Sequence, residues 1–142
     1  MSSILPLIVR CDGGSRGNPG PGASAFVVYE NKKIIYSKSY YFENTTNNVA
    51  EYFAVLMAAT WISKNQKGLI SSDVTFLLDS ELVVKQLTGV YKIKNLNLLK
   101  IANKIKKLIK EHDLKLEFKH IRREFNKDAD ALVNQEMDEN LG

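Results

Sequence analysis

Long apolar runs are missing from this chain: none approaches the ~20 consecutive residues that a helix needs to cross a bilayer. Cysteine is nearly missing as well. The lone Cys11 excludes an internal disulfide and suits a reducing compartment such as the cytoplasm; it reads, with Trp61, as a core residue. The opening Met1-Ser2-Ser3-Ile4-Leu5-Pro6 has no basic start and no long apolar stretch, so a secretory leader is not expected. Repeats, linkers and low-complexity tracts are lacking too, and one domain over residues 1–142 is the economical expectation. Acidic residues vanish from one segment, Leu82 to Lys110, where Lys85, Lys92, Lys94, Lys100, Lys104, Lys106, Lys107 and Lys110 all occur. A block of one sign has no counter-charge within itself. Either it is a solvated helix face, or it meets an external polyanion, for which phosphate is the obvious candidate.

What is present is the composition of an ordinary globular protein, 44% hydrophobic and 25% charged. Leu7–Asp12, Ala23–Tyr29 and Ile34–Phe42 carry the β-branched and aromatic residues of strands, with short connections that make an antiparallel meander. Gly13–Gly22, between the first two, reads as a glycine- and proline-rich loop. Asn47 or Asn48 would cap a helix from Val49 to Lys64, with Val49, Phe53, Leu56 and Thr60 on one face. Val74–Asp79 is an apolar run closed by an acid, as expected of a strand covered on both sides. Ser80 caps a short helix that stops at Gly89, and Leu98, Ala102, Ile105 and Ile109 form a helical stripe with the lysines mostly off it. Leu114–Ile121 alternates as a half-exposed strand, and a closing helix follows Asn126. The order predicts an α/β domain.

Four acids occupy positions that solvation does not explain well. Asp12 ends the first strand and Asp79 the apolar one, while Glu51 and Asp130 fall in the first turns of two helices. Ligands of open α/β sheets bind at the carboxyl edge of the strands. Carboxylates gathered there would neutralise one another by proton uptake unless a cation joined them. Oxygen-only ligation, without His or Cys, suits Mg²⁺ or Mn²⁺. Two such ions about 4 Å apart can clamp both oxygens of a phosphodiester displacement. Each acid also has a plainer explanation: Asp12 could start a turn, and Glu51 and Asp130 could complement helix dipoles.

The wording around the acids adds a resemblance. Cys11-Asp12-Gly13-Gly14-Ser15-Arg16-Gly17-Asn18-Pro19-Gly20-Pro21-Gly22, Thr45-Thr46-Asn47-Asn48-Val49-Ala50-Glu51-Tyr52, Leu77-Leu78-Asp79-Ser80-Glu81-Leu82-Val83 and Arg123-Glu124-Phe125-Asn126-Lys127-Asp128-Ala129-Asp130-Ala131-Leu132 resemble, in order, the four motifs of bacterial and archaeal type 1 ribonucleases H. The resemblance spans nearly the whole chain. It implies the ribonuclease H-like fold, a five-stranded mixed sheet with three antiparallel and then two parallel strands and helices on both faces. It implies hydrolysis of the RNA strand of RNA–DNA hybrids by two Mg²⁺ ions, with Mn²⁺ as a substitute, leaving 5′-phosphate and 3′-hydroxyl ends. Asp12, Glu51, Asp79 and Asp130 would be the catalytic, metal-binding carboxylates. Asp12 would touch both ions, Asp130 would assist the one that activates water, and Glu51 and Asp79 would serve the leaving-group side. A cytoplasmic monomer, without membrane attachment, is the expected form.

The resemblance also suggests substrate contacts. An enzyme that cuts RNA and spares DNA must sense the 2′-hydroxyl, both donor and acceptor. Asn18, Asn47 and Asn48 carry amides suited to both halves of that contact, and the backbone of Gly13, Gly14 and Ser15 permits close approach. Thr46 and Asn95 match the family's pocket for a DNA-strand phosphate, and Lys92 and Lys94 would add to the grip. Two departures stand out. Lys119-His120-Ile121-Arg122-Arg123-Glu124 is short, and its alternation puts His120 in a strand instead of the mobile loop that carries a His in some members; Arg123 or Glu124 could take the local role. The extra basic helix and loop of some relatives are absent, since Tyr91-Lys92-Ile93-Lys94 runs more directly into the next helix. Two other functions remain open: the same chemistry on duplex RNA, DNA or a junction, and a non-catalytic hybrid-binding module.

Overall fold

The computed structural model describes residues 5–141. The expectation about Met1 to Ile4 lies outside them. β1 (Leu7–Ser15), β2 (Gly20–Glu30) and β3 (Lys33–Thr45) are followed by α1 (Asn47–Asn65), β4 (Asp73–Leu78), α2 (Glu81–Leu87), α3 (Leu96–His112), β5 (Lys115–His120) and α4 (Lys127–Leu141). The sheet order is β3-β2-β1-β4-β5. β1 pairs antiparallel with β2 and β2 with β3, while β4 runs parallel to both β1 and β5. This is the mixed five-stranded sheet that was expected. Among the described residues no helix is long and apolar enough to cross a membrane.

The alternation of β1 sorts the two faces. Leu7, Val9 and Cys11 enter the larger core, joined by Phe26, Phe76, Tyr52 and Ile62 and by Leu98, Ala102 and Ile105 of α3. The α3 stripe and the exposed lysines beside it are as expected. So is β5, where Leu116 and Phe118 pack inward and Lys115, Glu117 and Lys119 face water. α4 covers the opposite face, with Val133 and Met137 against Ala23 and Ala25.

Four local expectations need correction. The glycine-rich segment is mostly strand: β1 runs on to Ser15 and β2 begins at Gly20, because Gly13, Gly14 and Ser15 stay in register with Ser24, Ala23 and Gly22. The cap of α1 is Thr46, whose Oγ1 accepts from the Val49 N–H at 3.2 Å; the Asn47 side chain is used elsewhere. The deep face of α1 is Ala50, Tyr52, Ala54, Val55, Ala58, Ala59 and Ile62, whose four alanines let the helix lie close to the sheet, whereas Val49, Phe53, Leu56 and Thr60 are only half-buried. Trp61 is likewise half-buried, stacked on Tyr36 with ring centroids 4.8 Å apart.

Candidate active site

Register delivers two of the acids. Cys11 and Leu78 are partners in neighbouring parallel strands, so the residues that follow them, Asp12 and Asp79, emerge side by side at the carboxyl edge. Glu51 arrives from α1. It is the fifth residue of that helix, whose first turn carries no acid, so the dipole does not account for it. The approach depends on Gly13, where a Cβ would lie 2.3 Å from the Ala50 carbonyl carbon and 2.6 Å from the Glu51 nitrogen. Only glycine lets α1 close against β1 at that point. As a result, one carboxylate oxygen from each of Asp12, Glu51 and Asp79 lies within 4.8 Å of the others. Asp130, in the first turn of α4, is not part of this tight trio, but it is near enough for its charge to act on Asp12.

The electrostatics are those of a site built for positive charge. The Asp12 carboxyl is 6% exposed and is pushed up to about 8 by burial, then by the charge of Asp79; the Gly13 N–H opposes this, and Asp130 and Glu51 add to it. Glu51 is pushed up to about 7, chiefly by burial, with a hydrogen bond from Ser80 and the charge of Arg123 acting the other way. Its Oε2 is buried and has no hydrogen-bond partner among the described residues. An orphaned carboxylate oxygen beside two more acids is a donor set short of a cation. All its ligands are oxygens, so the residues fit a hard divalent ion.

Of the residues expected to contact substrate, Ser15, Asn18 and Asn47 are joined by hydrogen bonds. The Ser15 N–H and hydroxyl both donate to Asn47 Oδ1, at 2.9 and 3.2 Å, and the Asn47 N–H donates to Asn18 Oδ1 at 3.0 Å. Both amide oxygens are engaged in these bonds, and the NH₂ halves of Asn18 and Asn47 remain to donate. Asn48 is half-buried. The Thr46 hydroxyl caps α1, and Asn95 Oδ1 caps α3 by accepting from the Asn97 and Leu98 N–H groups at 2.9 and 3.1 Å. Of this pair too, the hydroxyl proton and the amide nitrogen remain for donation. Gly14 is open, since the nearest atom to a Cβ there is Asn47 Oδ1 at 3.7 Å. Lys92 and Lys94 are exposed.

Three further points refine the picture. The lysine block is not wholly without counter-ions, because Glu81 and Glu111, just outside it, pair with Lys85 at 2.6 Å and Lys107 at 3.7 Å. His120 is the exposed last residue of β5, opposite Leu78. A hollow of about 610 Å³ is lined by Ile8, Arg10, Tyr29, Phe125 and Asp128, among others. Two of its polar side chains are already engaged, Arg10 on the Phe125 carbonyl and Tyr29 on the Asp128 carboxylate, and none of the three clustered acids lines it. Ser80 and Asn126 were not singled out by sequence reasoning. Ser80 carried only the sign of a helix cap, and nothing in the spacing marks Asn126 as wholly buried against Asp79.

The sheet order and the acidic trio define a reverse transcriptase-like domain, and the family of that description matches residues 10–136. Among solved structures, the chain is similar to LC11-RNase H1, crystallised in complex with an RNA/DNA hybrid, at 39% identity and a TM-score of 0.90, covering 96% of this chain and 99% of that one. RNase H1 from Halobacterium salinarum aligns at 31% identity with a TM-score of 0.84, covering 95% and 99%. A bifunctional protein of Mycobacterium tuberculosis is 32% identical over 136 residues, 94% of this chain but 36% of its own length. The chain thus spans about a third of that relative, and 62% of the curated ribonuclease HI of Halobacterium salinarum. The chain belongs to the type 1 ribonuclease H family.

Proposed function

We propose that this chain, as one domain over residues 1–142, is an endonuclease that hydrolyses the RNA strand of RNA–DNA hybrids and leaves 5′-phosphate and 3′-hydroxyl ends. The observation that carries the proposal is the convergence of Asp12, Glu51 and Asp79 to within 4.8 Å around an unpartnered Glu51 oxygen. Asp12, Glu51, Asp79 and Asp130 would hold two Mg²⁺ ions, with Mn²⁺ able to substitute. When bound, the ions supply Lewis acidity at the scissile phosphate.

The chain's own residues do the rest. Glu51 and Asp12 must give up their protons before a cation is held, so their raised values make metal binding a competition with protons. The NH₂ groups of Asn18 and Asn47, fixed by their engaged oxygens, donate to acceptors in the minor groove, including the 2′-hydroxyl. Asn48, Gly14 and Ser15 border the same surface. Thr46 and Asn95 offer donors to a phosphate of the DNA strand, and Lys92 and Lys94 add positive charge. A monomer in the cytoplasm, free of membrane, is the form this reading expects.

The decisive experiment incubates labelled hybrid, duplex RNA and duplex DNA with the protein in Mg²⁺, and repeats each with Asp79→Asn. Cleavage confined to the RNA of the hybrid and lost in the variant is expected. Equal cleavage by both proteins would overturn the site, and preference for another duplex would overturn the substrate.

A further inference from the structure

Asn126 is the only fully buried amide side chain among the described residues, and it has no part in the cation chemistry set out above. It sits directly ahead of α4, where an asparagine would ordinarily cap the helix through Oδ1. Here Oδ1 caps nothing, and it is buried without a partner. The amide nitrogen instead donates to the Cys11 carbonyl at 2.8 Å and to Asp79 Oδ2 at 3.3 Å. Both of these groups only accept, so the nitrogen must be the end that faces them. The Asn126 carbonyl in turn accepts from the Asp130 N–H at 3.1 Å. One residue therefore touches the β1 backbone next to Asp12, the Asp79 carboxylate itself, and the helical turn that carries Asp130.

We infer that Asn126 is a positioning residue for the metal-binding carboxylates, holding Asp79 beside Asp12 in the orientation a cation needs. This rests on the metal-centre reading above. A carboxylate can rotate about its own side-chain torsions, and a fixed donor on Asp79 Oδ2 opposes that rotation. The orphaned oxygen argues in the same direction. A buried acceptor without a partner is destabilising, so Asn126 serves the arrangement of its nitrogen better than it serves stability. A donor behind a ligating side chain is worth ~10–100-fold in metal affinity or activity in comparable centres.

The test titrates Mn²⁺ calorimetrically into the full chain without nucleic acid, for the unaltered protein, Asn126→Ala and Asn126→Ser. Hybrid affinity and melting temperature are measured in chelator alongside. Asn126→Ala is expected to weaken Mn²⁺ binding ~10–100-fold and to lower kcat at limiting metal, while KM for the hybrid stays within about twofold. Asn126→Ser keeps a hydroxyl donor in a smaller side chain and is expected to fall between; it also stands in should the alanine variant not fold. Mn²⁺ affinity unchanged in the folded variants overturns the inference. So does a loss of metal binding matched by equal losses of hybrid affinity and melting temperature, the mark of a merely structural role. If the unaltered chain binds no Mn²⁺, the metal centre itself is wrong, a result distinct from either.

Discussion

The two faces of the sheet are covered by different means. Under α1, α2 and α3 lies a continuous apolar core that includes Phe26, Tyr52, Ile62, Phe76 and Ile105. Under α4 the buried apolar set is Ala23, Ala25, Val133 and Met137, with Leu132 beside it. That helix also makes polar ties: Arg16 to Asp138 at 2.6 Å, Ser39 to Glu136 at 2.6 Å, and Tyr29 to Asp128. The acids divide along the same line. Asp12, Asp79 and Glu51 stand on strands and a helix packed into the large core, and they form the tight trio; Asp130 rides on α4 and stays outside it. Close grouping of charge is found where apolar packing is rigid enough to enforce it.

That contrast can be broken by measurement. The largest effect is expected from Asp79→Asn, which should lower hybrid cleavage by more than about 100-fold, because even supporting residues of a metal centre cost ~10–100-fold. Asp130→Asn should cost less, and an equal loss in single-turnover assays would erase the distinction between the trio and the fourth acid. Phe76→Ala in the large core should destabilise by ~3–5 kcal/mol in denaturant unfolding, whereas Val133→Ala under α4 should cost ~1–2 kcal/mol. Similar values for the two would show that α4 is packed as firmly as α1.

The acidic cluster predicts a pH dependence with a definite sign. Asp12 rises from 3.8 to about 8 and Glu51 from 4.5 to about 7, so the metal-free folded chain keeps protons that the unfolded chain releases. The site's contribution to stability therefore falls as pH climbs from about 4 to about 8 and levels off above. The melting temperature in chelator should decline over that window. Asp12→Asn should flatten the decline, and Mg²⁺ at pH 8 should restore what was lost. An identical pH profile for Asp12→Asn would contradict the assignment. The smallest effect belongs to Arg16→Ala: its pair with Asp138 is 42% and 66% exposed at the two side chains, and its loss should cost less than ~1 kcal/mol.

Much of this was legible in the sequence, for a physical reason that differs from element to element. Periodicity reports burial directly, so the apolar run ending at Asp79, the α3 stripe and the alternation of β5 were read correctly. The deep face of α1 departs from the expected stripe because four of its seven buried residues are alanines, whose small size marks close packing more than hydrophobic strength, with Tyr52, Val55 and Ile62 among them. The glycine segment looked like a loop because glycine favours turns, yet Gly13 is glycine because the backbone of α1 fills the space where a side chain would go. The asparagines looked alike as turn or cap residues. Only three-dimensional contacts assign one to the Ser15 backbone, one to the Asn47 N–H and one to Asp79.

Sequence alone determined the order of strands and helices, the four acids worth suspecting and the family motifs around them, since these depend on local spacing and residue chemistry. The tertiary structure decided that three of the acids meet, that the fourth stands apart, and that Asn126 reaches Asp79 from 47 positions along the chain. Such distances are set by sheet register and helix packing, which couple residues remote in sequence and leave no periodic trace in the chain.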